Sequence, residues 1–409
     1  MRFTLALVFA FSGFVKAVDP MGTVHKLSEY SEVLGLTPHP ALLLVGAWMV
    51  IAIEYVMGMA LFFGLYRRFY LMLMIAFLAV ATPFTCWLAL TNPVSDCGCF
   101  GDAIVLTHWQ TVGKNVALLL MAIAVFIGRR RVWRLISERT QWLVFVYAGA
   151  SIMFFMQYNL RHLPVWDFRP YAIGTNIVEA MSVPEDAPRD EYETLFVLEK
   201  DGEQRTFTFD NYPDSSWTFV RRESRLVSQG YVPPITDFYL TTLAGEDITD
   251  ELLGHSGYTF LLVARNIERA NESMLDIIND LYDYAKVGEH PFYMVTSSAA
   301  EPINEWIEHT GAAYPYLNAD ETLLKTMLRA NLGLIVLNDA TIVGKWSARD
   351  IPHDGQLACA MEDNTALTIS AHEVQRRKIT AALWMFLPLL LLVVSDDRGR
   401  REARLQTKP

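Results

Sequence analysis

Six apolar runs, and the arginines that bracket them, limit what this chain can fold into. The runs fall at about 3–18, 41–66, 69–91, 108–128, 142–158 and 379–395. A helix that crosses a bilayer needs ~20 mainly apolar residues at 1.5 Å each, which the second, third and fourth runs meet. The fifth and sixth are shorter and lean on interfacial Trp142, Tyr158 and Trp384. The first contains Lys16 and shares features with a signal peptide, Arg2 preceding apolar Phe3 to Phe14, yet no small-x-small cleavage site follows. A retained helix is the expectation. Arg67 and Arg68 follow the second run, Arg129, Arg130, Arg131 and Arg134 the fourth, and Arg398, Arg400 and Arg401 the sixth. Flanking arginines stay in the cytoplasm, so six spans with both termini inside satisfy every cluster. The loop at 92–107 and residues 160–378 then lie outside.

Charge follows the same map. The 409 residues carry a formal net charge of −11, while residues 160–378 hold 35 Asp/Glu against 18 Lys/Arg. That segment is therefore −17 and the remainder +6. An acidic outer part argues against nucleic acid or anionic lipid as its partner, and outside the cytoplasm disulfides persist.

Between the first two runs, Val24, Leu27, Val33, Leu34 and Leu36 are spaced for a helix lying on the outer surface. Pro83 and Pro388 are expected to kink their helices. Residues 192–198 and 204–210 alternate in β-favouring types around Asp201-Gly202, a hairpin signal, and Pro233-Pro234 closes that segment. From 235 to 350 the order is strand 258–264, helix 272–286, strand 292–297, helices 302–309 and 321–330, then a hairpin, 333–338 with 341–346. This predicts a mixed sheet covered on both faces. Asp167-Phe-Arg169-Pro170-Tyr171 reads as a linker without chemistry.

Chemistry concentrates at Cys97-Gly98-Cys99. One spacer puts the Cα atoms up to about 7 Å apart, near the upper limit for a disulfide, so ring closure needs the bent backbone that Gly98 permits. A redox dithiol or strained disulfide, a static crosslink, and a metal site are the three readings. The last has only His108 nearby and lacks the four ligands of structural zinc. Cys86, near the outer end of its span, is either an exchange partner or an inert buried thiol. Cys359 is a free thiol or pairs with the loop. Glu54, ~20 Å into its span, is an intramembrane proton group or a structural polar contact. Lys16 is its partner by charge but is placed near the outer surface, so the depths disagree.

Two resemblances follow from particular residues. Phe11 to Pro20, His39-Pro40, Glu54 with Gly58, Asp96-Cys97-Gly98-Cys99-Phe100-Gly101 and Lys114-Asn115 resemble the membrane family of the methylamine-utilisation protein MauE and the DoxX-like proteins, over about 1–160. That resemblance implies a four-helix core akin to vitamin K epoxide reductase, a role in making or supporting disulfides in exported proteins, and a quinone as electron acceptor. Residues 235–350 are similar to thioredoxin-like domains of the TlpA/MauD kind. They depart from them where a Cys-x-x-Cys would stand, at Ala264 to Asn271, and where a cis-proline would stand, at Leu332. A redox-dead fold left with a binding role, around Asn331-Leu332-Gly333, is implied.

The expected architecture is thus a polytopic α-helical membrane protein with an extracytoplasmic α/β thioredoxin-like domain. Its parts are a transmembrane domain at 1–160, a β-rich connection at 161–234, the α/β domain at 235–355 and a final helix at 379–396. The expected function is thiol–disulfide handling for exported proteins at a bacterial inner membrane, with Cys97 and Cys99 as the redox pair. Its partners would be exported dithiols or a separate thioredoxin-like protein, with a quinone the implied cofactor and no metal. A non-enzymatic assembly scaffold, with stapling cysteines, is the competing class. A transporter using Glu54 and Lys16 is the third.

Overall fold

The computed structural model describes residues 1–406 except 95, 132, 190, 201, 210, 215, 229, 271, 353–360 and 362–365. Cys359 lies outside the described residues. The membrane part comprises α1 (Arg2–Val18), α2 (Pro20–Val33), α3 (Pro40–Phe63), α4 (Arg67–Thr91), α5 (His108–Ile127) and α6 (Gln141–Arg161). By length and apolarity α3, α4, α5, α6 and the last helix can each cross a membrane, and the pair α1 and α2, bent by 96°, makes a sixth candidate. Asp19 caps α2 by accepting from the Gly22 amide at 3.1 Å, and Pro20 occupies its first turn, where its missing N–H costs nothing.

Small residues set the helix contacts. A Cβ on Gly58 would sit 2.3 Å from the Ala10 amide nitrogen, and one on Gly13 would sit 2.5 Å from that of Tyr55. The α1 and α3 backbones therefore touch, the approach that glycine permits between membrane helices. Leu5, Phe9, Ile51, Met74, Leu78 and Ile152 fill the bundle core, while Leu42, Val80, Leu90, Leu120 and Phe154 face outward, as a lipid solvent allows.

Two of the three arginine clusters meet at one face. Arg67, Arg68, Arg129, Arg130 and Arg134 line a shared recess. Arg2 donates from Nε to the Leu61 carbonyl (2.9 Å) at the end of α3. The last helix brings Asp396 to the same face, where it accepts from the Ser137 amide (2.9 Å) and the Thr140 hydroxyl (2.6 Å).

Residues 175–238 form a separate unit. Asn176 caps a short α7 (Ile177–Met181), followed by β1 (Glu191–Lys200), β2 (Glu203–Phe207) and β3 (Thr218–Ser228) in the antiparallel order β2-β1-β3. The expected hairpin is present with Gly202 at φ 82°. The third strand is an addition. Its run Arg221-Arg222-Glu223-Ser224-Arg225 lacks the apolar alternation that marks a half-buried strand.

Beyond it come β4 (Thr241–Thr242), α8 (Thr249–Leu253), β5 (Tyr258–Ala264), α9 (Leu275–Val287), β6 (Phe292–Thr296), α10 (Ala300–Thr310), β7 (Tyr316–Asn318), α11 (Glu321–Met327), β8 (Gly333–Asn338), β9 (Thr341–Ser347) and α12 (Ala366–Gln406). The sheet order is β4-β7-β6-β5-β8-β9, with β5, β6 and β7 parallel and β8 and β9 antiparallel. A central strand flanked by a parallel β-α-β partner on one side and a terminal antiparallel hairpin on the other is the thioredoxin-like arrangement. Asp339 and Ala340 both take positive φ (48° and 59°) in the β8–β9 turn, as a two-residue hairpin loop requires. Strand β7 was not expected, and α11 ends three residues sooner than the predicted 321–330. No cis peptide occurs among the described residues, and Leu332, at φ 93°, is buried.

The expected linker at 167–171 is instead buried structure. Asp167 takes Arg169 Nε at 2.8 Å and Lys345 Nζ, from β9, at 2.7 Å. Arg169 also donates to the Thr326 carbonyl at 3.1 Å, and Lys345 to that of Tyr171 at 2.9 Å.

Candidate functional site

The loop between α4 and α5 is held by hydrogen bonds from two other helices. Asp96 Oδ2 accepts from the Gly98 amide at 3.0 Å, and Gly98 takes φ 59°, which a Cβ would resist. Lys26 Nζ, on α2, stands 2.5 Å from Asp96 Oδ1. One turn on, the Tyr30 hydroxyl donates to the Cys97 carbonyl at 2.7 Å. From α1, Ser12 Oγ lies 2.8 Å from the Cys99 carbonyl and 2.7 Å from Glu54 Oε2, its single proton serving one acceptor at a time.

Glu54 is paired with Lys16, whose ammonium donates to both carboxylate oxygens at 2.7 and 2.8 Å, with both residues buried. The depth mismatch read from sequence is resolved by the α1–α2 bend. α2 folds over against the first turns of α3, so Glu54 meets the outer end of α1 and the cysteine loop at one level.

The two sulfurs are free thiols 3.6 Å apart. Contact with Cys97, and the nearby cations Lys114 and Lys16, lower Cys99 to about 6. Contact with Cys99, and burial, push the Cys97 thiol up. Cys99 is the better leaving thiolate and Cys97 the sulfur that a thiolate would attack.

The sulfurs face an apolar cavity of about 550 Å³ walled by Phe77, Leu78, Phe84 and Leu118. Its polar end holds Lys114, 4.5 Å over the Phe100 ring, and Asn115, whose amide donates to Thr85 Oγ1 at 3.2 Å. On the far side of the loop a polar cavity of about 390 Å³ is lined by Asp19, His25, Lys26, Gly98, Asp102 and Arg329. Its members include residues of both the bundle and the α/β domain.

The structure thus brings Cys97, Cys99, Glu54 and Lys16 together. Cys86 stands apart: the half-buried thiol sits on α4, and the cavity is lined by its neighbours Phe84 and Thr85 instead. No group of three or more His, Cys, Asp or Glu suited to a metal occurs among the described residues. Sequence reasoning missed Ser12, Lys26, Tyr30 and Lys114 as parts of the site. Two of the spacings were readable, since Ser12 and Lys16, like Lys26 and Tyr30, stand four apart on one helix face.

Residues 1–128 match the family model described as methylamine utilisation protein MauE. That stretch, a MauE-like domain, is under a third of the chain. Residues 192–229 match a domain of unknown function, DUF8463. No curated protein matches. Among solved structures, a thioredoxin-like protein from Aeropyrum pernix is similar at 13% identity, over 31% of this chain and 89% of that one, with a TM-score of 0.26.

The thiol asymmetry predicts a pH profile. The thiolate is the reactive form, so alkylation of Cys99 should be half-maximal near pH 6 and flat above it, where an ordinary thiol keeps rising to about pH 8.5. Lys114→Met should move the midpoint upward. Mass-spectrometric quantification of alkylated Cys99 against pH checks both, and a midpoint near 8.5 in the parent chain would contradict the assignment.

Proposed function

We propose that the MauE-like domain is a membrane thiol–disulfide oxidoreductase component that oxidises dithiols of exported proteins or of a separate thioredoxin-like carrier. The observation that carries this is the placement of two unequal thiols, 3.6 Å apart, against a largely apolar cavity with a polar end. In the oxidising direction a partner thiolate attacks Cys97 Sγ of the Cys97–Cys99 disulfide, the S–S bond breaks, and Cys99 leaves as the thiolate that its surroundings favour. The partner's second thiolate then attacks the mixed disulfide and releases Cys97. The partner loses two electrons and two protons, and the pair gains them.

Reoxidation needs an acceptor for those electrons. A membrane quinone, taken up as the two-electron, two-proton acceptor, is the class that fits. The cavity lies within the ~300–1,000 Å³ of small-molecule sites, its walls are apolar, and Lys114 and Asn115 supply N–H donors for a carbonyl oxygen at its polar end. Ser12 and Tyr30 would orient the loop by its carbonyls, and Lys114 would hold the Cys99 thiolate.

The arginine-rich face supports an orientation with that face in the cytoplasm of a bacterium and the α/β domain in the periplasm. Periplasmic dithiols then approach from the side on which the cysteine loop lies.

The test is trapping. Run in reverse, Cys97 attacks a partner disulfide, the partner's other sulfur leaves as thiolate and Cys99 resolves the bond; Cys99→Ser should therefore accumulate a mixed disulfide at Cys97 with an oxidised exported protein, and Cys97→Ser with Cys99→Ser should accumulate none. Purified chain in lipid should also reoxidise its pair with a short-chain quinone. A double serine variant that supports disulfide formation in exported proteins as well as the parent would leave the scaffold reading, with cysteines that merely staple the loop.

A further inference from the structure

The edge at which a thioredoxin-like domain meets its partners is built from the loop after its central strand and the loop before its terminal hairpin. Here those loops are Arg265-Asn266, after β5, and Arg329 to Leu332, before β8. The second is closed to an incoming protein at its usual point of contact. Asn331 uses its amide on Asn266, accepting from that backbone N–H at 3.0 Å and donating to its carbonyl at 2.8 Å, and Leu332 is 1% exposed.

Arg329 reaches in another direction. Its Nε and Nη2 bind Asp19 Oδ2 at 2.8 and 2.7 Å, Nη2 stands 3.5 Å from Asp102, and Nη1 donates to the Lys325 carbonyl at 2.9 Å. Asp19 is the corner between α1 and α2, and Asp102 is the third residue after Cys99. Both arms of that corner hold the cysteine loop, α1 through Ser12 and α2 through Lys26 and Tyr30. His25, on α2, faces Arg329, Lys325 and Arg265.

We propose that the partner of this redox-inactive domain is the MauE-like domain of its own chain, and that Arg329 is a positioning residue for the thiol pair. The guanidinium fork ties the α1–α2 corner to the end of the cysteine loop, as planar recognition of carboxylates by arginine permits. The domain is then a brace over the loop, and its dithiol edge is used up in cis. This goes beyond the redox reading and does not depend on turnover.

The experiment measures modification of Cys97 and Cys99 by a membrane-impermeant maleimide in full-length chain in membranes. Arg329→Glu should raise the labelling rate about tenfold, since breaking a desolvated charge pair opens the contact, and should shift the pH midpoint of Cys99 upward as the loop leaves Lys114. Reversing both charges, Arg329→Glu with Asp19→Arg, should bring the rate clearly below that of the single variant, though above the parent because Asp19 also caps α2. Parent-like labelling of Arg329→Glu, or a double reversal that labels as fast as the single, overturns the proposal. If Arg329→Glu does not accumulate, Arg329→Lys is read instead: it keeps the charge but loses the fork, should label about threefold faster, and sinks the idea if unchanged. A chain with this labelling pattern but no oxidoreductase activity refutes the redox reading and keeps the brace.

Discussion

Glu54→Gln is expected to destabilise the solubilised chain by about 3–5 kcal/mol, the scale on which a buried ion pair loses one partner. The amide leaves Lys16 charged and buried, with no carboxylate in reach among the described contacts, and also removes the anion that Ser12 addresses. Lys16→Met together with Glu54→Gln should recover most of the loss, because neutralising both partners leaves no uncompensated charge in the bundle. Thermal unfolding of detergent-solubilised protein, followed by size-exclusion, reports the difference. A single variant as stable as the parent would mean that the pair carries no structural weight, and would strengthen the transporter reading in which Glu54 exchanges protons. Activity separates the roles further: the double variant should fold yet lose the hydrogen-bonded support beneath Cys99.

Asp167→Asn is expected to be comparably damaging for a different reason. One carboxylate there serves two cations, Arg169 and Lys345, both at most 5% exposed. Neutralising it leaves like charges facing each other without water. The same geometry sets a pH dependence. Lys345 and Arg169 outweigh burial and hold the Asp167 carboxyl down at about 2, below the ~3.9 of an unfolded chain. The stabilisation is therefore complete above about pH 4 and is lost as pH falls through 2, a linkage of roughly 2–3 kcal/mol. Limited proteolysis of the 161–175 segment should accelerate over that acid window in the parent and be fast at every pH in Asp167→Asn. Equal rates for the two chains at pH 7 would remove the case for this contact.

The legible and illegible parts of this molecule divide by the range of the interactions. Spans, the shared arginine face and the strand–helix order of the α/β domain come from periodicities within one segment, and they were readable. So was the cysteine loop, because Cys97-Gly98-Cys99 stands in a polar break. The Lys16–Glu54 pair was not, since its depth depends on a bend at Asp19 that no hydropathy window reports. Strand β3 hid behind three arginines, and β7 is only three residues long. Asp167 and Arg169 looked like a linker because their third partner, Lys345, lies 178 residues away.

The touching backbones of α1 and α3 have a consequence for ancestry. With Gly13 seated on Tyr55 and Gly58 on Ala10, one helix cannot slide along the other without a clash. An inserted residue between Gly13 and Lys16 would swing the lysine about 100° around its helix, away from the carboxylate. The spacings Gly13 to Lys16 and Glu54 to Gly58 must therefore be inherited as one unit, and deletions should be tolerated before and after them but not within. A lineage that loses either glycine to a larger residue is expected to lose the ion pair with it, so drift at the four positions should be joint.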